Sequence, residues 1–214
     1  MAGKVTGLEP QKRSRDRLNV FLDGEYAFSI AVYTALNLKV GVWLSDEDIA
    51  RLQTADEGER ARSRALDFLS YRPRSEWEVR EYLQKREYST AVIEAVVNAL
   101  CEVKLIDDYA FAQYWLENRA RFRPKGKRML SRELRQKGVS SQQIEQVLET
   151  YEEEKAARRV FEDQARRLQN QPPDVFRRRM LERMSRRGFS YELIQELLAT
   201  PDVSQSLYTE DEED

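Results

Sequence analysis

The 214-residue chain has no histidine, and so lacks the commonest general base and the commonest transition-metal ligand. Its single cysteine, Cys101, excludes an intramolecular disulfide and any cysteine-rich zinc site. That thiol stands among Val96, Val97, Leu100 and Val103 and reads as a small buried hydrophobe rather than a nucleophile. Long apolar runs are missing too: the most apolar stretch, 28–38, is short and interrupted by Ser29, Thr34 and Asn37. The start of the chain lacks the hydrophobic region of a signal peptide, so a cytoplasmic location without membrane contact is expected. No glycine-rich phosphate loop occurs, and no nucleophile has a base beside it in sequence. These absences argue against an enzyme, and neither a cofactor nor a metal is expected.

Charge, by contrast, is abundant. Asp, Glu, Lys and Arg make up 35% of the residues, and the net charge of −2 conceals a strong asymmetry. The last five residues, 210–214, are all acidic, which leaves a small positive excess on everything before them. Within 117–137, Arg119, Arg121, Arg123, Lys125, Lys127, Arg128, Arg132, Arg135 and Lys137 face only Glu117 and Glu133. A second basic run, 177–187, sets six arginines against Glu182. Such runs suit a polyanionic partner.

The most informative feature is a repeat. Val79, Leu83, Ser89, Ile93 and Val96 recur as Leu130, Leu134, Ser140, Ile144 and Val147, an offset of 51, and again as Met180, Met184, Ser190, Ile194 and Leu197, an offset of 50. Gly138 and Gly188 match, with Glu87 in the first copy. Spacing this regular predicts tandem three-helix repeats whose apolar faces are buried by stacking. The expected fold is mainly α, with three such repeats in an elongated curved array, preceded by a small N-terminal antiparallel β-sheet module.

The module occupies 1–44: strands at 4–8, 18–22 and 25–30, a basic connection at 11–17, a tight turn at Asp23-Gly24, and a short helix at 32–38. Ser45 followed by Asp46, Glu47 and Asp48 starts a helix. Its polar middle, 54–63, reads as a solvent-exposed connector, so 45–64 is set apart. The repeats follow at 65–106, 107–151 and 152–200, and 201–214 is an acidic tail expected to be disordered. Three complete units make a monomer the expected state.

The loops between first and second helices repeat as well. Tyr71-Arg72-Pro73-Arg74 matches Phe122-Arg123-Pro124-Lys125, so an aromatic, an Arg, a Pro and a second cation are placed twice. Proline stiffens the loop and presents the cations at low entropic cost. Arg72, Arg74, Arg121, Arg123, Lys125, Lys127 and Arg128 are therefore the candidate contact residues, with Arg177, Arg178 and Arg179 behind them. Gly138-Val139-Ser140 leading into Gln143-Ile144 has the outline of a DNA-reading helix-turn-helix. The helix after the turn, however, carries no arginine to read a base edge, and the same geometry recurs in every repeat. Asp107 and Asp108 diverge as neighbours on a helix and suit capping better than a metal.

The stretch Leu105-Ile106-Asp107-Asp108-Tyr109-Ala110-Phe111-Ala112, with Trp115, Arg119, Arg123-Pro124-Lys125-Gly126, Leu130, Glu133-Leu134 and Lys137-Gly138-Val139, resembles the signature of the RecX family. Members of that family are bacterial regulators of the RecA recombinase. The resemblance covers nearly all of 65–199, and Asn19–Phe28 is similar to the hairpin of longer members. It implies no catalysis. It implies binding in the groove of the RecA–DNA filament, contact with single- and double-stranded DNA through the basic loops, and restraint of ATP hydrolysis, strand exchange and coprotease activity in DNA repair and the SOS response. The third repeat departs from the pattern, with Pro172-Pro173-Asp174 in place of the Arg-Pro-basic loop.

Overall fold

The structure is a computed structural model that describes residues 2–11 and 14–200; the acidic tail expected at 201–214 lies outside them. The described residues form a four-stranded antiparallel sheet followed by nine helices, and they divide into two compact units. One runs to Arg72 and includes Glu78–Ile106; the other takes in Pro73–Trp77 and the chain from Asp107 onward.

In the first unit, β1 (Gly3–Gln11), β2 (Ser14–Leu22), β3 (Glu25–Ala31) and β4 (Trp43–Leu44) lie in the order β3-β2-β1-β4. Asp23 and Gly24 both take positive φ, 48° and 89°, the mirror-image turn whose twist matches a two-residue hairpin. Val5, Val20, Leu22, Phe28 and Ile30 point inward onto Leu44 and Ile49. Three expectations are corrected here. The sheet has four strands rather than three, because Trp43–Leu44 returns to pair with Gly3 and Lys4. β2 begins at Ser14, so most of the expected 11–17 connection is strand. No helix forms at 32–38: the chain makes successive turns, with Ala35 buried while Val32, Tyr33 and Leu36 are exposed. A few residues with one buried side chain have no apolar face to stabilise a helical nucleus.

Helix α1 (Asp46–Ser70) opens with a capping box in which the Ser45 hydroxyl accepts from the Asp48 N–H and the Asp48 carboxylate accepts from the Ser45 N–H. It runs unbroken through Arg64. Its polar middle, expected to be a solvent-exposed connector, is solvated on only part of its circumference. Asp56 is 5% exposed and Ala61 fully buried. The Asp56 carboxylate accepts from Arg17 Nη2 at 2.9 Å, from Arg17 Nη1 at 3.2 Å and from the Ala31 N–H at 2.6 Å. A buried carboxylate is tolerable because donors surround it. One face of α1 thus holds the sheet, and its C-terminal half packs on α3 (Thr90–Glu102) to close the first three-helix core with α2 (Glu76–Gln84).

The second unit contains α4 (Asp108–Phe122), α5 (Lys127–Gln136) and α6 (Ser141–Glu149), then α7 (Glu153–Leu168), α8 (Pro173–Arg186) and α9 (Tyr191–Leu198). Each triplet has its own apolar core, one around Phe111, Leu130 and Leu134, the other around Phe161, Phe176 and Met180. The repeated serines cap the third helices: Ser89, Ser140 and Ser190 hydroxyls accept from the N–H groups of Val92, Gln143 and Leu193. Gly138 and Gly188 take φ of 80° and 90° just past α5 and α8, and Glu87 adopts the same left-handed geometry at 63°. Gly126 donates its N–H to Arg187 O at 2.9 Å and lies so close to Gly188 and Phe189 that any side chain would collide with their backbone.

Candidate functional site

The basic run of the second repeat is built around the loop Arg123–Gly126, between α4 and α5. Pro124 pushes Arg123 into an extended conformation (φ −147°, ψ 72°), which ends α4. The loop is fastened from several sides. Tyr151 donates its hydroxyl to Lys125 O at 2.8 Å, and Arg159 Nη1 donates to Ala120 O at 3.2 Å in the last turn of α4. The Lys127 N–H donates to Glu153 Oε1 at 2.7 Å, capping a helix whose own N-cap, Gly126, has no side chain to do so. At the start of α4 the paired aspartates divide the same labour. Asp107 accepts from Tyr109 and Ala110, while Asp108 accepts from the Glu76 N–H at 2.8 Å.

Glu133 on α5 is the hub. Its side chain, 14% exposed, accepts from Trp115 Nε1 at 2.9 Å and Arg119 Nε at 2.8 Å, and pairs with the Lys125 ammonium. Arg119 and Lys137 also lie over the Trp115 ring, 4.4 and 5.6 Å from its centre. Burial pushes the Glu133 carboxyl up, but the Lys125, Arg119 and Trp115 donors outweigh it and hold the group below the ordinary carboxylate range. Burial pushes the Tyr151 phenol up to about 12, so it remains a donor throughout the physiological range.

The predicted contact residues therefore separate into two sets. Arg72 is half-buried in a bidentate pair with Glu78, at 3.0 and 3.2 Å. Arg74 is half-buried and engaged, Lys125 is held by Glu133, and Lys127 is half-buried. Arg121, Arg123 and Arg128 are exposed and, among the described residues, form no ion pair. Arg177, Arg178 and Arg179 on α8 are also exposed, with Arg179 donating to Gln171. Two residues were not singled out from sequence. Arg132 and Arg135 are exposed on α5, and with Arg128 they follow an i, i+4, i+7 spacing that puts all three on the face opposite Leu130 and Leu134. That periodicity was the signal available. The result is a stripe of guanidiniums beside a pinned loop, suited to a row of phosphates. Among the described residues no group of three acidic or cysteine side chains is placed to hold a metal, and no helix is long and apolar enough to cross a membrane.

Family models match the chain in four segments: the regulatory protein RecX N-terminal domain at residues 3–44, and the first, second and third RecX three-helix domains at 61–100, 107–148 and 152–198. The chain is similar to regulatory protein RecX of Bacillus subtilis (strain 168), with 35% identity over 195 residues, 89% of this chain and 74% of the relative. It is 33% identical to that of Limosilactobacillus reuteri (strain DSM 20016), over 94% of this chain and 80% of the relative. A crystal structure of regulatory protein RecX matches at TM-score 0.72 and 30% identity, covering 90% of this chain and 97% of that one. The crystal structure of RecX from Lactobacillus salivarius shares the fold at TM-score 0.60 and 23% identity, over 72% of this chain and 97% of that one. With its sheet module and all three helical triplets matched in order, and with the Trp115–Arg119–Lys125–Glu133 cluster of the signature assembled in space, the chain belongs to the RecX family of regulatory proteins.

Proposed function

We propose that this protein acts in the cytoplasm, as a monomer without catalytic activity of its own, by binding the RecA–DNA filament and restraining its ATPase, strand exchange and coprotease activities. Family membership supports the regulatory role. The observation that carries the DNA contact is the stripe Arg128, Arg132 and Arg135 with Arg121 and Arg123 beside it, exposed and free of internal ion pairs among the described residues. Guanidiniums kept from neighbouring carboxylates lose nothing internal when they meet phosphate. The pinned loop and its helices hold the backbone that carries them, so only the side chains are ordered at the moment of binding. Arg72 and Lys125 are engaged by Glu78 and Glu133, and Arg74 and Lys127 are half-buried, so direct contact falls to the exposed set.

The test is single-strand-dependent ATP hydrolysis by RecA with substoichiometric amounts of this protein. Potent inhibition by the natural sequence, weakened tenfold or more in Arg128→Glu/Arg132→Glu, is the expected result. The same stripe also fits a sequence-independent DNA-binding protein with no recombinase partner. That reading predicts no inhibition, together with binding to bare DNA that falls linearly in log salt, by about 0.7 per phosphate contact on single strands and about 0.9 on duplex.

A further inference from the structure

Phe122 closes α4 with 66% of its surface exposed, whereas Leu168 and Leu198, which close α7 and α9, are buried. Leaving a phenylalanine in water forgoes the stabilisation that burial of so large a ring brings. A lone exposed ring needs no explanation, but this one has a counterpart. Tyr71, at the matching position of the first repeat, is 83% exposed directly after α1. The third repeat has Gln171 and Pro172 in this region and no aromatic, and it also lacks the Arg-Pro-basic loop. The aromatic and the basic loop thus occur together and are missing together.

We infer that Phe122, and Tyr71 at the equivalent place, are stacking platforms for an unpaired nucleobase, so that the basic loop takes single-stranded DNA in preference to duplex. This rests on the reading of the loop as a DNA contact. Among the described residues the only ring contact of Phe122 is the Arg121 guanidinium, 5.2 Å from its centre. Arg123 follows it in the chain and Arg128 stands in the first turn of the next helix, both exposed. A nucleotide is the ligand class with a flat uncharged face and an anion on one short frame, and it suits a ring flanked by guanidiniums. Duplex DNA offers only the anions, because its base faces are stacked on one another. A protein partner supplying an apolar pocket gives no reason for a guanidinium against the ring and further exposed arginines close to it in the chain. The backbone that carries the ring is held in place: Arg159 fastens the last turn of α4 at Ala120, and the Arg123 N–H donates to Arg119 O at 2.9 Å.

The full-length protein and its Phe122→Ala and Phe122→Trp variants are titrated with an oligo(dT) and with a blunt duplex of equal length, each at several salt concentrations. Phe122→Ala is expected to bind the single strand at least fivefold more weakly with an unchanged salt slope, and the duplex within twofold of the natural protein. Phe122→Trp keeps single-strand affinity and shows fluorescence quenching by oligo(dT) beyond that of the natural protein. Equal losses on both nucleic acids, or no loss on either, overturn the inference. Unchanged oligonucleotide binding with weaker RecA inhibition also overturns it and assigns the ring to a protein contact. Phe122-dependent strand binding by a protein that leaves RecA unaffected sustains it and sinks the recombinase reading instead.

Discussion

Removing the acceptor at the hub of the second repeat gives the sharpest test of how the basic surface is held. Glu133→Ala leaves the Trp115 N–H, the Arg119 guanidinium and the Lys125 ammonium without their shared partner. Breaking a fully buried ion pair costs about 3–5 kcal/mol. Here Arg119 and Lys125 keep 23% and 26% of their side-chain surface, so water can partly replace Glu133. The lower end, about 3 kcal/mol, is the appropriate figure for alanine. Glu133→Gln retains one oxygen but loses the charge on every bond, which gives about 1.5 kcal/mol. For a chain of this size those losses lower Tm by roughly 6–12 °C and 3–6 °C. Thermal unfolding followed by circular dichroism reads both, and urea midpoints give an independent measure. The pH dependence adds a signature. Because the folded carboxyl lies below its ordinary value near 4.5, its contribution is fully present above that value and is lost as pH falls through the lower, folded value. The gap between the natural protein and Glu133→Gln should therefore be flat from pH 7 to about pH 5 and close in more acid solution. If both variants stay within about 0.5 kcal/mol of the natural protein at pH 7, the brace contributes nothing and the loop is held by packing alone.

Glu87→Gly should stabilise the first unit by about 0.5–1 kcal/mol, since Glu87 holds a left-handed backbone that glycine adopts without strain; an unchanged urea midpoint refutes it. Asp56→Ala strands Arg17 and the Ala31 N–H and should cost about 3 kcal/mol, read as a lower urea midpoint. The Tyr151 phenol, raised to about 12, contributes stability that is complete below the ordinary tyrosine value of 10.0 and is lost as pH rises toward 12. Tyr151→Phe should therefore flatten the alkaline limb of the stability profile, and an identical limb in both proteins contradicts the assignment.

Legibility in the sequence followed the range of the interactions. Caps and turns are local, so the Ser89, Ser140 and Ser190 helix starts and the Asp23-Gly24 hairpin could be read directly. Repeated spacing likewise located the helices around Leu130 and Met180. What escaped depends on distant partners. Trp43–Leu44 is too short to announce itself as a strand, and its partner stands at Gly3–Lys4. Asp56 looks solvated until Arg17 arrives from 39 residues away. Among the seven candidate cations, exposed Arg123 and braced Lys125 are two residues apart and chemically alike; only the fold shows which one meets Glu133. The stripe through Arg132 and Arg135 was visible in principle, because helical spacing alone groups them with Arg128.

The continuity of α1 has a consequence for dissection of the molecule. Because one helix carries Ile49 and Asp56 toward the sheet and Ala61 and Ala65 toward the first helical triplet, no cleavage site within 46–70 yields two intact pieces. A truncation that begins at Ser45 bares Ile49 and leaves Asp56 a buried-type charge without its arginine. A protease that nicks the middle of α1 should release neither part as a stable fragment. Amide exchange along the helix should then report one shared opening event, so that sheet and triplet unfold together.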